Sequence, residues 1–213
     1  MTILFDLDNT LFDHVNSLKH AISAVREKFD HLQTFSTDEL ISKYNAALQS
    51  TYDAYLRGDI AHDQGNEKKV MTFFHDVGFP SPTLEKVQKL AEQHPEVSKR
   101  FAVFERMTMD QKAKAECIGV AHLVDQIITS EEAGVSKPNM RIFKRAATAM
   151  GVDMSSMIMV GDSIESDIRG ALDAGISPVL YSPLAEQDET LIQGTQVPTI
   201  HHMSHLLNLL GIS

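Results

Sequence analysis

The chain has 213 residues, 43% of them apolar and 23% charged, and its 19 basic and 29 acidic side chains give a formal charge of −10. That length suits one domain with room for an insertion, and so ordinary a composition excludes disordered, collagen-like and coiled-coil chains. The acidic balance argues against a sequence-independent nucleic-acid binder, and no apolar run approaches the roughly 18–20 residues of a membrane span, so neither nucleic acid nor membrane is an expected partner. The lone cysteine, Cys117, cannot form an intrachain disulfide, which fits a reducing, cytoplasmic setting, and is expected as a small buried hydrophobe. Asp6 and Asp8 stand where a signal peptide carries basic and then apolar residues, so export is not expected.

In chain order, residues 2–7 are short, apolar and β-prone, and run into Asp8-Asn9-Thr10, which reads as a buried strand ending in a polar turn. From residue 14 to about 99 apolar residues recur at helical spacing (Leu18, Ile22, Val25, Phe29, then Leu40, Tyr44, Leu48, Tyr52, Tyr55), predicting about four helices with the tyrosines in their core. Afterwards the pattern alternates. Ile127-Ile128-Thr129 reads as a strand, 141–150 as an amphipathic helix closed by Gly151, and 156–160 as a strand buried on both faces. Residues 166–174 form a helix ended by Gly175, 178–181 a strand, and 205–210 a terminal helix. Such alternation argues for an α/β fold, a doubly wound parallel sheet with helices on both faces, interrupted after its first strand by a helical insertion.

Ligands of an open parallel sheet bind outside the carboxyl ends of its strands. Four signals fall at such ends: Asp6-Leu7-Asp8-Asn9-Thr10, Lys137-Pro138, Gly161-Asp162, and Asp167 five residues beyond Asp162. Converging acids repel one another unless a cation or a lysine lies between them. A few hard oxygen ligands suit Mg²⁺, which lets a phosphate approach despite the acidic charge. His201 and His205, four apart, read as a solvated face in preference to a metal pair.

These motifs, at this spacing, resemble the haloacid dehalogenase superfamily of aspartate-nucleophile phosphohydrolases. Subfamily I members are similar in carrying a helical cap after the first motif, and Thr129-Ser130-Glu131-Glu132-Ala133-Gly134-Val135-Ser136-Lys137-Pro138 looks like the phosphatase and 5′-nucleotidase branch. The resemblance implies a fold of a core, residues 1–13 with 100–213, and a cap, residues 14–99, that closes over the site. It implies Asp6 as nucleophile, forming an aspartyl phosphate, Asp8 as general acid and base, and Lys137 as the neutraliser of phosphoryl charge. Mg²⁺ is implied on Asp6, the backbone carbonyl of Asp8, and Asp162, with Asp167 behind them orienting Lys137 or metal-bound water. The resemblance also implies Asn9, Thr10 and Thr108 as phosphoryl-side polar groups, Thr10 as a brace of the turn. Dehalogenases carry no acid at the position of Asp8, so Asp8 favours phosphate esters. The implied activity is Mg²⁺-dependent hydrolysis of a small phosphate ester, a nucleoside 5′-monophosphate or a sugar phosphate, by a monomer or homodimer.

One element departs from the pattern. The family's second motif, a Ser or Thr at the end of the strand beside the first, falls near Phe104-Glu105-Arg106, where no hydroxyl stands. Either residues 100–104 serve as that strand or a helix and a strand are lost before Thr108. A missing phosphoryl donor costs on the order of 10²–10³ in rate. A catalytically impaired binding or regulatory protein is therefore the alternative, and a phosphomutase a further one.

Overall fold

The computed structural model describes residues 1–79 and 111–212. The chain divides into two compact units, Met1–Asp13 with Ile118–Ser213, and His14–Cys117. The boundary expected between residues 99 and 100 lies outside the described residues.

In the first unit a five-stranded sheet runs in the order β1 (Thr2–Phe5), β2 (Met157–Gly161), β3 (Ser177–Tyr181), β5 (Thr195–Ile200) and β4 (Glu189–Ile192). All neighbours are parallel except β4, which pairs antiparallel with β5 at the edge. Side chains alternate across a strand, and β2 shows both faces in use. Met157 and Met159 pack with Phe143, Ala146 and Ala147 of helix α6 (Met140–Met150) and Ala171 of α7 (Arg169–Asp173). Val160, one residue on, packs with Val179, Ile200 and Leu206 of α8 (Ser204–Leu209). The near-continuous apolar run at 156–160 thus marks a strand covered on both sides, the usual condition of a parallel sheet.

The second unit contains α1 (His14–Lys28), α2 (Thr37–Leu56), α3 (His62–Asp76) and α4 (Gln111–Cys117). Helix α2 opens on a capping box, in which the Ser36 hydroxyl accepts from the Glu39 amide while Glu39 accepts from the Ser36 amide. The periodic positions Leu18, Ile22, Val25, Leu40 and Tyr44 are all buried, joined by Leu32 and by Val70, Phe73 and Phe74 of α3.

Several expectations change. Ile127-Ile128-Thr129 is not a strand, because it has no ladder partner among the described residues; the Thr129 hydroxyl instead caps the short helix α5 (Ser130–Ala133). The helix expected at 166–174 opens as a π turn over Ile164–Ile168 before α7 begins. The β4–β5 hairpin is additional, turning at Gln193 and Gly194, both at positive φ (50° and 77°), as the common two-residue hairpin turn requires. Cys117 is exposed instead of buried. Among the described residues, no helix is long and apolar enough to cross a membrane.

Candidate active site

Asp6 directly follows β1, and its amide donates to the Val160 carbonyl at 2.8 Å, carrying the β1–β2 ladder one residue further. Asp162 directly follows Gly161, the last residue of β2. The register of two parallel strands therefore sets these acids side by side at the carboxyl edge. Beyond Asp6 the chain folds into a tight turn: the Leu11 and Phe12 amides donate to the Leu7 carbonyl (3.0 and 2.9 Å) and the Asn9 amide to that of Phe12 (2.6 Å). Asn9 takes φ +62°, a conformation asparagine tolerates better than most residues. Asp8, partly exposed, forms a backbone bridge with Phe12 inside this turn. Thr10 is buried and its hydroxyl donates to Asp162 Oδ1 at 3.4 Å, so it braces the turn against the second strand.

Lys137 enters from the loop before α6. Its Nζ donates to Asp6 Oδ1 at 2.5 Å and to Asp167 Oδ1 at 2.6 Å. Asp167 is 1% exposed, and its Oδ2 accepts from the Ser163 amide at 3.0 Å. The π turn delivers this carboxylate onto the end of β2, and Gly161 makes room for it. A Cβ built there would lie 2.3 Å from Asp167 Oδ2, a distance no side chain permits. The Ser163 hydroxyl accepts from the Ser166 amide and caps the same turn.

Crowding shows in the ionisation. Burial first, then the negative charges of Asp6 and Asp167, push Asp162 up to about 6 from the ordinary 3.8, against opposing pulls from a backbone hydrogen bond and then from the Thr10 hydroxyl. Burial also raises Asp167, although the Lys137 ammonium draws it back down. For Lys137 burial alone favours the neutral amine, but Asp6 and Asp167 together outweigh it and hold the group above the usual lysine range. Three carboxylates thus face one ammonium, an imbalance that a bound cation relieves.

One ligand oxygen from each of Asp6, Asp162 and Asp167 lies within 4.8 Å of the others. The set is entirely hard oxygen, the chemistry preferred by Mg²⁺. Since both Asp167 oxygens are already engaged by Lys137 and the Ser163 amide, Asp6 and Asp162 are the side chains better disposed to hold the ion.

Of the residues singled out from the sequence, Asp6, Lys137, Asp162, Asp167 and Thr10 come together, and Asp8 and Asn9 lie in the turn that follows Asp6. Thr108 and Phe104-Glu105-Arg106 lie outside the described residues. His201 precedes α8 and does not share a helical face with His205; its Nε2 meets Asp188 Oδ1 at 3.0 Å and its Nδ1 the Ser182 carbonyl at 3.2 Å. Ser163 was not foreseen, although a serine three residues before another polar helix-start residue is a recognisable cap signal.

The family model described as haloacid dehalogenase-like hydrolase matches residues 3–180. The chain is 28% identical to a glyceraldehyde 3-phosphate phosphatase of Methanothermobacter thermautotrophicus, the match covering 98% of each chain. It is 25% identical to a ribulose-1,5-bisphosphate 5-phosphatase of Halopiger xanaduensis, over 98% of this chain and 95% of that one. Among solved structures, a putative hydrolase of Bacillus subtilis bound to magnesium shares the fold with a TM-score of 0.66 and 16% identity, over 99% of this chain and 98% of the other.

Proposed function

Because the chain belongs to the haloacid dehalogenase-like hydrolase family, we propose that it hydrolyses a small phosphorylated metabolite through an aspartyl phosphate on Asp6, with Mg²⁺ as cofactor. The observation that carries this reading is the convergence of Asp6, Asp162, Asp167 and Lys137 at the carboxyl ends of β1 and β2. The residues divide the work as follows. Asp6 attacks phosphorus, forming an O–P bond as the ester P–O bond breaks, and Asp8 gives its proton to the departing alkoxide. Asp8 then takes a proton from water, which attacks the acyl phosphate, and inorganic phosphate leaves with Asp6 restored. Lys137 holds Asp6 in line and offsets charge on the phosphoryl oxygens. Asp167 fixes Lys137, and Thr10 fixes Asp162. Asp6, Asp162 and the Asp8 carbonyl would hold Mg²⁺, which would supply a clamp for phosphoryl oxygens and relieve carboxylate–phosphate repulsion.

Small sugar phosphates are the substrate class best supported. Two relatives that cover nearly the whole chain are named for a triose phosphate and a ribulose bisphosphate. Nucleoside 5′-monophosphates are the second class, since a shorter stretch, 46% of the chain, is 37% identical to a pyrimidine 5′-nucleotidase of Escherichia coli. Phosphate release from a panel of triose, pentose and hexose phosphates and nucleoside monophosphates, with and without Mg²⁺, tests both. Release that requires Mg²⁺ and is greatest for sugar phosphates is the expected result; no release from any ester between pH 5 and 9 overturns the reading.

A further inference from the structure

Lys137 reaches its two carboxylates from a loop, so the depth at which that loop sits decides whether Nζ spans both. The loop is pressed from behind by Gly170 of α7. A Cβ built on Gly170 would lie 2.9 and 3.0 Å from Cε2 and Cζ of Phe143 and 3.0 Å from the Cα of Pro138. Glycine is the poorest helix former after proline, and Gly170 is not among the glycines at positive φ, so backbone conformation does not call for it. Close approach does. The two neighbours differ in what they can yield. The Phe143 ring belongs to the apolar core, where it can rotate or be trimmed. The Pro138 Cα is main chain, one peptide from Lys137, and cannot retreat without carrying the lysine with it.

We propose that Gly170 is a positioning residue for Lys137: its missing side chain lets α7 seat the Lys137-Pro138 loop so that Nζ meets Asp6 and Asp167 together. The proposal rests on the phosphatase reading for its consequence in catalysis, but the placement of Lys137 is measurable without activity.

The test uses the full chain as wild type, Gly170→Ala, and Gly170→Ala with Phe143→Leu, the last relieving the ring while leaving the crowding of Pro138. Pulse acetylation followed by mass spectrometry reads the accessibility of the Lys137 amine against Lys144 of α6 as reference, beside thermal midpoint, kcat and KM. In both variants Lys137 should acetylate severalfold faster relative to Lys144, and kcat should fall on the order of 10²-fold, as a displaced catalytic group implies, with a much smaller change in KM. The double variant should recover thermal midpoint without recovering kcat or the slow labelling. If the ring clash keeps Gly170→Ala from folding, the double variant carries the comparison. Unchanged Lys137 labelling, or labelling and kcat that return with the midpoint in the double variant, overturns the proposal. Faster labelling in a chain whose wild type releases no phosphate upholds the positioning role and removes the phosphatase reading instead.

Discussion

The two units bury polar groups on different terms. In the helical unit the core is mainly apolar, built from Leu18, Leu32, Leu40, Phe73 and their neighbours, with the buried Lys69 ammonium over the Tyr44 ring, and Thr51 on α2 is fully buried with no hydrogen-bond partner for its hydroxyl among the described residues. In the α/β unit the buried Asp167 has a partner for each oxygen, yet its surroundings still disfavour its charge. An unmet hydroxyl is a modest local cost that serves no visible chemistry. Three carboxylates around one ammonium are a cost concentrated at the place where a phosphate ester and a divalent ion would bind. The contrast teaches that, in this chain, strain with a chemical purpose is electrostatic and lies at strand ends.

The largest expected effect is on the purposeful side. Asp6→Asn removes the proposed nucleophile while keeping its shape, so turnover should drop by at least about 10³-fold, measured as phosphate release, with circular dichroism and melting little changed. A variant retaining a tenth of wild-type activity would place the nucleophile elsewhere. Next is a purely structural loss in the other unit. Leu40, fully buried in the helical core, should cost about 2–5 kcal/mol as Leu40→Ala in denaturant melts, without altering the pH dependence of stability.

Asp162→Asn sharpens the contrast through pH. The folded-state value of Asp162, about 6, lies above the ordinary 3.8. Its contribution to stability is therefore fully present below about pH 4 and is lost as pH rises toward 6. In metal-free protein at pH 7, Asp162→Asn should raise stability by roughly 1–2 kcal/mol, a figure reduced for partial solvent screening, and the gain should vanish near pH 4. The same substitution should weaken Mg²⁺ binding, read by titration calorimetry. A stability gain independent of pH would mean that crowding of charge is not its source. The smallest effect belongs to Thr51→Val, which removes a buried hydroxyl that lacks a partner among the described residues. It should stabilise by about 1 kcal/mol and leave turnover unchanged.

Asp6 and Asp162 were legible because each sits at the end of a recognisable apolar run, Asp6 after residues 2–5 and Asp162 after the doubly buried β2. Lys137 was legible through the proline that follows it. What escaped depends on hydrogen-bond register or on approach in space. The β4–β5 hairpin turns on Gln193-Gly194 instead of Asn-Gly, and Pro198 demotes the following run as a strand. It is tolerated because β3 pairs with β5 only at Thr199 and Ile200, leaving Pro198 at the margin of that ladder. Ile127-Ile128-Thr129 has strand composition, but composition does not supply a neighbour. The π turn that carries Asp167 looks like ordinary helix in sequence, and Gly170 has meaning only once Pro138 lies against it.

The most direct test of the account is to trap the phosphoryl group. Wild-type chain mixed with Mg²⁺ and a turned-over sugar phosphate, quenched in acid within the first turnover and reduced with borohydride, should show the modification on the peptide containing Asp6, at Asp6 and not Asp8. Modification at another residue, or phosphate release with none at Asp6, would contradict the assignment of Asp6 as the nucleophile.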